Sequence, residues 1–129
     1  MSNLQIVIVD DNKEFTFILN EFLNLYKAEG IEIVGIAQDG LRAIELIVEK
    51  EPDVVILDII MPKLDGIQVL KRINALNMAK KPDFFVLSAM DQDKFTQQAL
   101  ALGAKCYITK PFDMDVLVAK IKELQLLNV

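Results

Sequence analysis

Apolar positions in this chain follow two alternating spacings. Short apolar runs rich in β-branched residues occupy positions 5–9, 31–37, 54–57, 84–87 and 105–109. Between them, apolar residues recur every three or four positions over 13–28, 41–50, 67–76, 94–102 and 114–127. The first set predicts strands, the continuous runs being buried on both faces, and the second predicts amphipathic helices. The joints carry matching turn chemistry. Gly30 and Gly103 stand where helices stop and a left-handed residue is wanted. Asp39 is placed to cap the second helix, and Asp113 the fifth, with Phe112 and Leu117 spaced as a hydrophobic staple. Asp11 is expected to cap the first helix in part, and Asp65-Gly66 is a turn signal. The first helix shows an inward stripe of Phe15, Ile18, Leu19, Phe22 and Tyr26, with Phe17 on the opposite side.

Five strands alternating with five helices imply parallel pairing through right-handed crossovers. The expected fold is α/β: a doubly wound sandwich around a five-stranded parallel sheet of flavodoxin-like order 2-1-3-4-5, rather than a dinucleotide fold. The 129 residues suit one domain over 1–129, large enough for a full core.

Ligands of open α/β sheets bind beyond the carboxyl ends of the strands. The residues there are Asp10-Asp11 after the first strand, Asp58 after the third, Ser88 after the fourth and Thr109-Lys110-Pro111 after the fifth. Asp58 interrupts an otherwise apolar stretch from Val54 to Met61. Three carboxylates on one edge repel each other, so positive charge must offset them. Lys110 brings one unit. A divalent cation brings two, and Mg²⁺ (or Mn²⁺) suits a few carboxylates with retained waters. A carboxylate beside such a cation, an ammonium and the Ser88 hydroxyl is arranged to attack phosphorus and form an aspartyl phosphate.

Composition narrows the alternatives. The chain has no histidine and one cysteine, Cys106. That excludes internal Ser-His and Cys-His pairs, histidine-bound zinc and an intrachain disulfide. Any histidine in the chemistry must come from a partner. Cys106, inside an apolar run, reads as core. A formal charge of -5, from 19 acidic and 14 basic residues, argues against direct nucleic-acid binding through phosphates. No apolar run reaches membrane-spanning length and no signal peptide opens the chain, so a soluble, cytoplasmic protein is expected.

The set Asp10-Asp11, Asp58-Ile59-Ile60-Met61-Pro62 with Asp65-Gly66, Ser88-Ala89 and Tyr107-Ile108-Thr109-Lys110-Pro111 resembles the receiver domains of two-component response regulators along the whole chain. The resemblance implies roles. Asp58 is the phosphoacceptor; Asp10 and Asp11, with Asp58 and the backbone carbonyl of Ile60, hold the metal. Ser88 is the switch hydroxyl and Tyr107 the switch aromatic. Lys110 is the essential lysine, followed by a cis peptide to Pro111. It also implies a sensor histidine kinase or histidine phosphotransferase as partner, with output through the face of the fourth helix, fifth strand and fifth helix, by homodimerisation or control of an effector domain. A narrower likeness, on residues 58–66 and 110–114, is to the receivers of master sporulation regulators of endospore-forming bacteria, which continue into a DNA-binding domain absent from this chain.

Three rival readings fit less well. A haloacid-dehalogenase-type phosphatase places a second aspartate two residues after the first, where this chain has Ile60. A nucleotide-binding module needs glycines after the first strand, where Asp10-Asp11-Asn12-Lys13 stands. A degenerate receiver would not keep the full acid set. Two further expectations follow. Apolar Ile60 and Met90 flank the site and exclude an attacking water, giving a long-lived aspartyl phosphate. Phe17, outward on a helix that starts beside the site, contributes to a partner surface.

Overall fold

The computed structural model describes residues 3–89 and 93–127. Five strands, β1 (Leu4–Val9), β2 (Ile31–Ala37), β3 (Val54–Asp58), β4 (Asp83–Ala89) and β5 (Cys106–Lys110), alternate with α1 (Lys13–Asn24), α2 (Gly40–Lys50), α3 (Gly66–Ala75), α4 (Asp93–Ala101) and α5 (Met114–Leu127). The strands pair in parallel in the order β2-β1-β3-β4-β5, the expected flavodoxin-like topology.

Side chains of a strand point alternately to its two faces, and here both faces are covered. Val7, Val9, Val55, Leu57 and Val86 meet α2 and α3 through Ile47, Leu70 and Ile73. Ile6, Ile8, Ile56, Phe85 and Leu87 meet α1 and α5 through Leu19, Leu23, Leu117 and Ile121. Every residue of β3 is buried, so Asp58 ends a strand with no solvent face. Truncating a side chain at the centre of this sheet, such as Leu57, costs about 2–5 kcal/mol.

The caps at Asp39 and Asp113 form as expected. Asp39 accepts the Arg42 amide at 2.9 Å and Asp113 the Asp115 amide at 3.0 Å. Gly30 and Gly103 take positive φ, 89° and 101°. Asp65 does more than turn the chain: it caps α3 in a reciprocal box with Gln68.

Three expectations for α1 are corrected. The helix ends at Asn24 rather than 28, and a short 3₁₀ turn, Lys27–Glu29, runs into Gly30. Its cap is Asn12, whose side chain accepts the Phe15 amide at 3.0 Å, not Asp11. Ile18 is not inward but 51% exposed, whereas Thr16, Leu19 and Leu23 are buried. The apolar arc of the helix, from Ile18 through Phe15 and Phe22 to Leu23, is wider than the strip that packs, so spacing alone leaves its exact phase open; packing on the sheet selects the Thr16–Leu19–Leu23 stripe. Phe17 does point outward, at 58% exposed. Among the described residues, no helix is long and apolar enough to cross a membrane.

Candidate functional site

The sheet brings Asp10, Asp58, Ser88 and Lys110 to one edge. β1 delivers Asp10, which is 1% exposed. Its amide donates to the Ala37 carbonyl at 3.0 Å, its Oδ1 accepts the Asn12 amide at 3.0 Å, and its Oδ2 accepts from Lys110 Nζ at 2.7 Å. Asp10 is therefore held on both oxygens, while Asp11 beside it is exposed.

Asp58 lies next to this pair on the neighbouring strand. Lys110 Nζ is 3.8 Å from its Oδ2, and the backbone amide of Ile60 weakly favours its charged form. Burial, then repulsion from Asp10 and to a lesser degree Asp11, push the Asp58 carboxyl up to about 6, against the opposing pull of Lys110. One carboxylate oxygen from each of Asp10, Asp11 and Asp58 lies within 4.8 Å of the others. Among the described residues a single ammonium faces three acids here, and that imbalance adds to burial in raising the Asp58 carboxyl. That geometry and donor set fit a hard, oxygen-ligated cation such as Mg²⁺.

The loop after β3 is clamped from below. The Gly66 amide donates to the Ile59 carbonyl at 2.6 Å. A Cβ on Gly66 would stand 2.6 Å from the Asp58 carbonyl oxygen and 2.8 Å from Ile59 Cα. Only glycine lets α3 start this close to the residue that ends β3. Gly40, at the start of α2, approaches the Leu64 carbonyl more closely still, and Lys63, at φ 66°, reaches Asp39 at 3.5 Å. The backbone beneath Asp58 is thus wedged between two helix starts.

Ser88 is buried and pairs in register with Thr109, one step before Ala89 meets Lys110. Tyr107 is 44% exposed and so faces outward. The Lys110–Pro111 peptide is cis. The Ile60 side chain is exposed at the site's rim; Met90 lies outside the described residues. Cys106 is half-buried against the α5 core, and burial pushes its thiol up, away from the reactive thiolate.

Two aromatic residues were not legible as site residues. Lys110 Nζ sits 4.5 Å from the centre of the Phe15 ring, and Phe112 meets that ring edge-on at 6.0 Å and 84°. Spacing assigned Phe15 to the core stripe and Phe112 to a staple. The available signal was position: each follows a strand-ending polar group by a few residues.

The model of the response regulator receiver domain family matches residues 6–122. The chain belongs to this family. Receiver domains are phosphoacceptor signalling modules that interact with histidine kinases or phosphotransfer proteins. This receiver is similar along nearly its whole length to solved relatives. The signal receiver domain of the putative response regulator NarL from Mycobacterium tuberculosis shares 29% identity at a TM-score of 0.84, with 96% of this chain and 97% of that one covered. The response regulator domain of Thermotoga maritima CheB shares 32% at 0.81, covering 98% of each. The signal receiver domain of a response regulator from Bermanella marisrubri shares 32% at 0.81, covering 95% and 98%.

Proposed function

We propose that Asp58 accepts a phosphoryl group from a phosphohistidine on a partner kinase or phosphotransferase. The observation that carries this reading is a buried Asp58 carboxylate at a strand end, flanked by Asp10, Asp11 and the Lys110 ammonium. An Asp58 oxygen attacks phosphorus; the phosphorus–nitrogen bond breaks, and the imidazole nitrogen leaves with its electron pair. Asp10, Asp11, Asp58 and the Ile60 carbonyl would hold Mg²⁺ or Mn²⁺, which when bound neutralises charge on the transferring oxygens. Lys110 offers N–H donors to the same oxygens, and Ser88 a hydroxyl. Ile60 keeps an attacking water from the product, so the aspartyl phosphate is long-lived.

The phosphoryl group adds roughly -1.5 to -2 charges and three acceptor oxygens. Ser88 and Lys110 bind them, the loops after β4 and β5 shift, and Tyr107 turns inward. The α4–β5–α5 face then changes, favouring homodimerisation or release of an effector. The shift is only as large as the differential stabilisation of the switched state. A transcriptional effector and a role in sporulation belong to this proposal through the narrower likeness of residues 58–66 and 110–114, and a cytoplasmic setting is proposed with them.

The test is transfer of label from a phosphorylated histidine phosphotransferase. Label is expected on the wild-type chain and on none of the Asp58→Asn variant, with loss on adding a chelator. Label reaching Asp58→Asn would overturn the assignment.

A further inference from the structure

Lys110 has a third neighbour besides its two acids. Its ammonium lies 2.7 Å from Asp10, 3.8 Å from Asp58 and 4.5 Å from the centre of the Phe15 ring. Phe15 is fixed there twice over. It belongs to the first turn of α1, where Asn12 accepts its amide, and the edge of Phe112 abuts its ring. Phe112 in turn follows Pro111 and precedes the Asp113 cap of α5. Asn12, Phe15, Lys110, Pro111 and Phe112 line one hollow beside the site. The first turn of α1 and the loop after β5 therefore meet through an aromatic pair that closes one side of the lysine.

The face of an aromatic ring attracts a cation without engaging it as a carboxylate does. An ammonium has three N–H donors. Among the described residues, Lys110 makes one hydrogen bond, to Asp10. A third acid beside it would take another donor and draw the lysine away from Asp58. The ring instead holds the ammonium, shields it from water on that side, and leaves donors facing Asp58.

We propose that Phe15, braced by Phe112, is a positioning residue that keeps the Lys110 ammonium between Asp10 and Asp58 with donors free for the incoming phosphoryl oxygens. This rests on the reading of Asp58 as phosphoacceptor.

Two measurements test it. In metal-free, isotopically labelled wild-type protein, the ring current of Phe15 should move the Lys110 side-chain proton signals upfield of those of exposed lysines. Phe15→Leu, similar in volume but without the ring, should abolish that displacement. It should also slow Asp58 phosphorylation by acetyl phosphate at saturating Mg²⁺ about three- to tenfold. Phe15→Tyr keeps the ring and should restore both. Should Phe15→Leu fail to fold, Phe112→Leu removes the brace and should give the same changes at smaller size. An undisplaced Lys110 in the wild type, or Phe15→Leu reacting as fast as wild type, overturns the proposal. If the wild type takes no phosphoryl group at all, the reading of Asp58 fails and the positioning role falls with it, while the ring-current signal still reports the contact on its own.

Discussion

The Lys110 ammonium stands 3.8 Å from the Asp58 carboxylate, near enough to attract it and too far for a hydrogen bond. Its hydrogen bond goes to Asp10, at 2.7 Å. Lys110 thus lies beside Asp58 without a hydrogen bond to its carboxylate. Lys110→Ala is expected to cut the rate of phosphorylation from a small donor by roughly a hundredfold, the usual cost of removing one preorganised donor to developing charge. Rate constants measured at saturating Mg²⁺ check this, and a loss below about threefold would contradict it.

Asp58 should also set a pH dependence of stability in the metal-free protein. Its carboxyl is raised from 3.8 to about 6 by burial and by its acidic neighbours. A carboxyl raised on folding lowers stability as pH climbs from the unfolded value to the folded one. Asp58→Asn removes that penalty. The variant should match wild type near pH 3.5 and exceed it above pH 6.5, by about 3 kcal/mol at most. Urea unfolding at both pH values gives the comparison; a variant less stable at pH 7 would count against the raised carboxyl.

Mg²⁺ should reverse the penalty by binding the folded state alone. The wild type is expected to gain about 2.7 kcal/mol at a Mg²⁺ concentration about a hundredfold above Kd. Asp11 is exposed, so Asp11→Asn should change metal-free stability by no more than about 0.5 kcal/mol yet lose the Mg²⁺-dependent gain. Thermal melts with and without Mg²⁺ separate the two effects. An undiminished gain in Asp11→Asn would remove Asp11 from the ligand set.

Two glycines should respond differently to alanine. At Gly66 the new Cβ would meet the Asp58 carbonyl oxygen at 2.6 Å, so the backbone must shift at a cost of about 1–3 kcal/mol, and phosphorylation should slow with it. At Gly103 nothing lies within 4 Å, and only the φ of +101° resists. Gly103→Ala should cost about 1–2 kcal/mol and leave phosphorylation unchanged. Equal effects of both on phosphorylation would refute the wedge beneath Asp58.

The aspartyl phosphate should persist for minutes or longer in the purified domain with Mg²⁺, because Ile60 at the rim offers a water no polar hold. Decay monitored by intact mass checks it; a half-life of seconds would show that water is admitted.

The strand-end residues were legible before the fold was known because a carboxylate closing a strand buried on both faces, as Asp58 closes β3, gives up hydration that packing alone does not return. Asp58 after an apolar run and Lys110 after another had to meet at one edge once the order 2-1-3-4-5 was inferred. Less legible was α1, where Phe15, Phe17, Ile18, Leu19, Phe22 and Leu23 offer several apolar stripes and only packing chooses among them. Asp11 and Asn12 are both able caps, and nothing local decides between them; the structure gives the cap to Asn12 and leaves Asp11 exposed beside the other acids. Gly66 read as a turn because its close approach to Asp58 is a tertiary contact, visible only once α3 is seated.

The most direct test of the account is to incubate the chain with acetyl phosphate, with and without Mg²⁺, and weigh it intact beside Asp58→Asn. The account predicts the gain of one phosphoryl group in the wild type with Mg²⁺ only, and none in the variant. A gain that survives in Asp58→Asn, or one that ignores Mg²⁺, would contradict it.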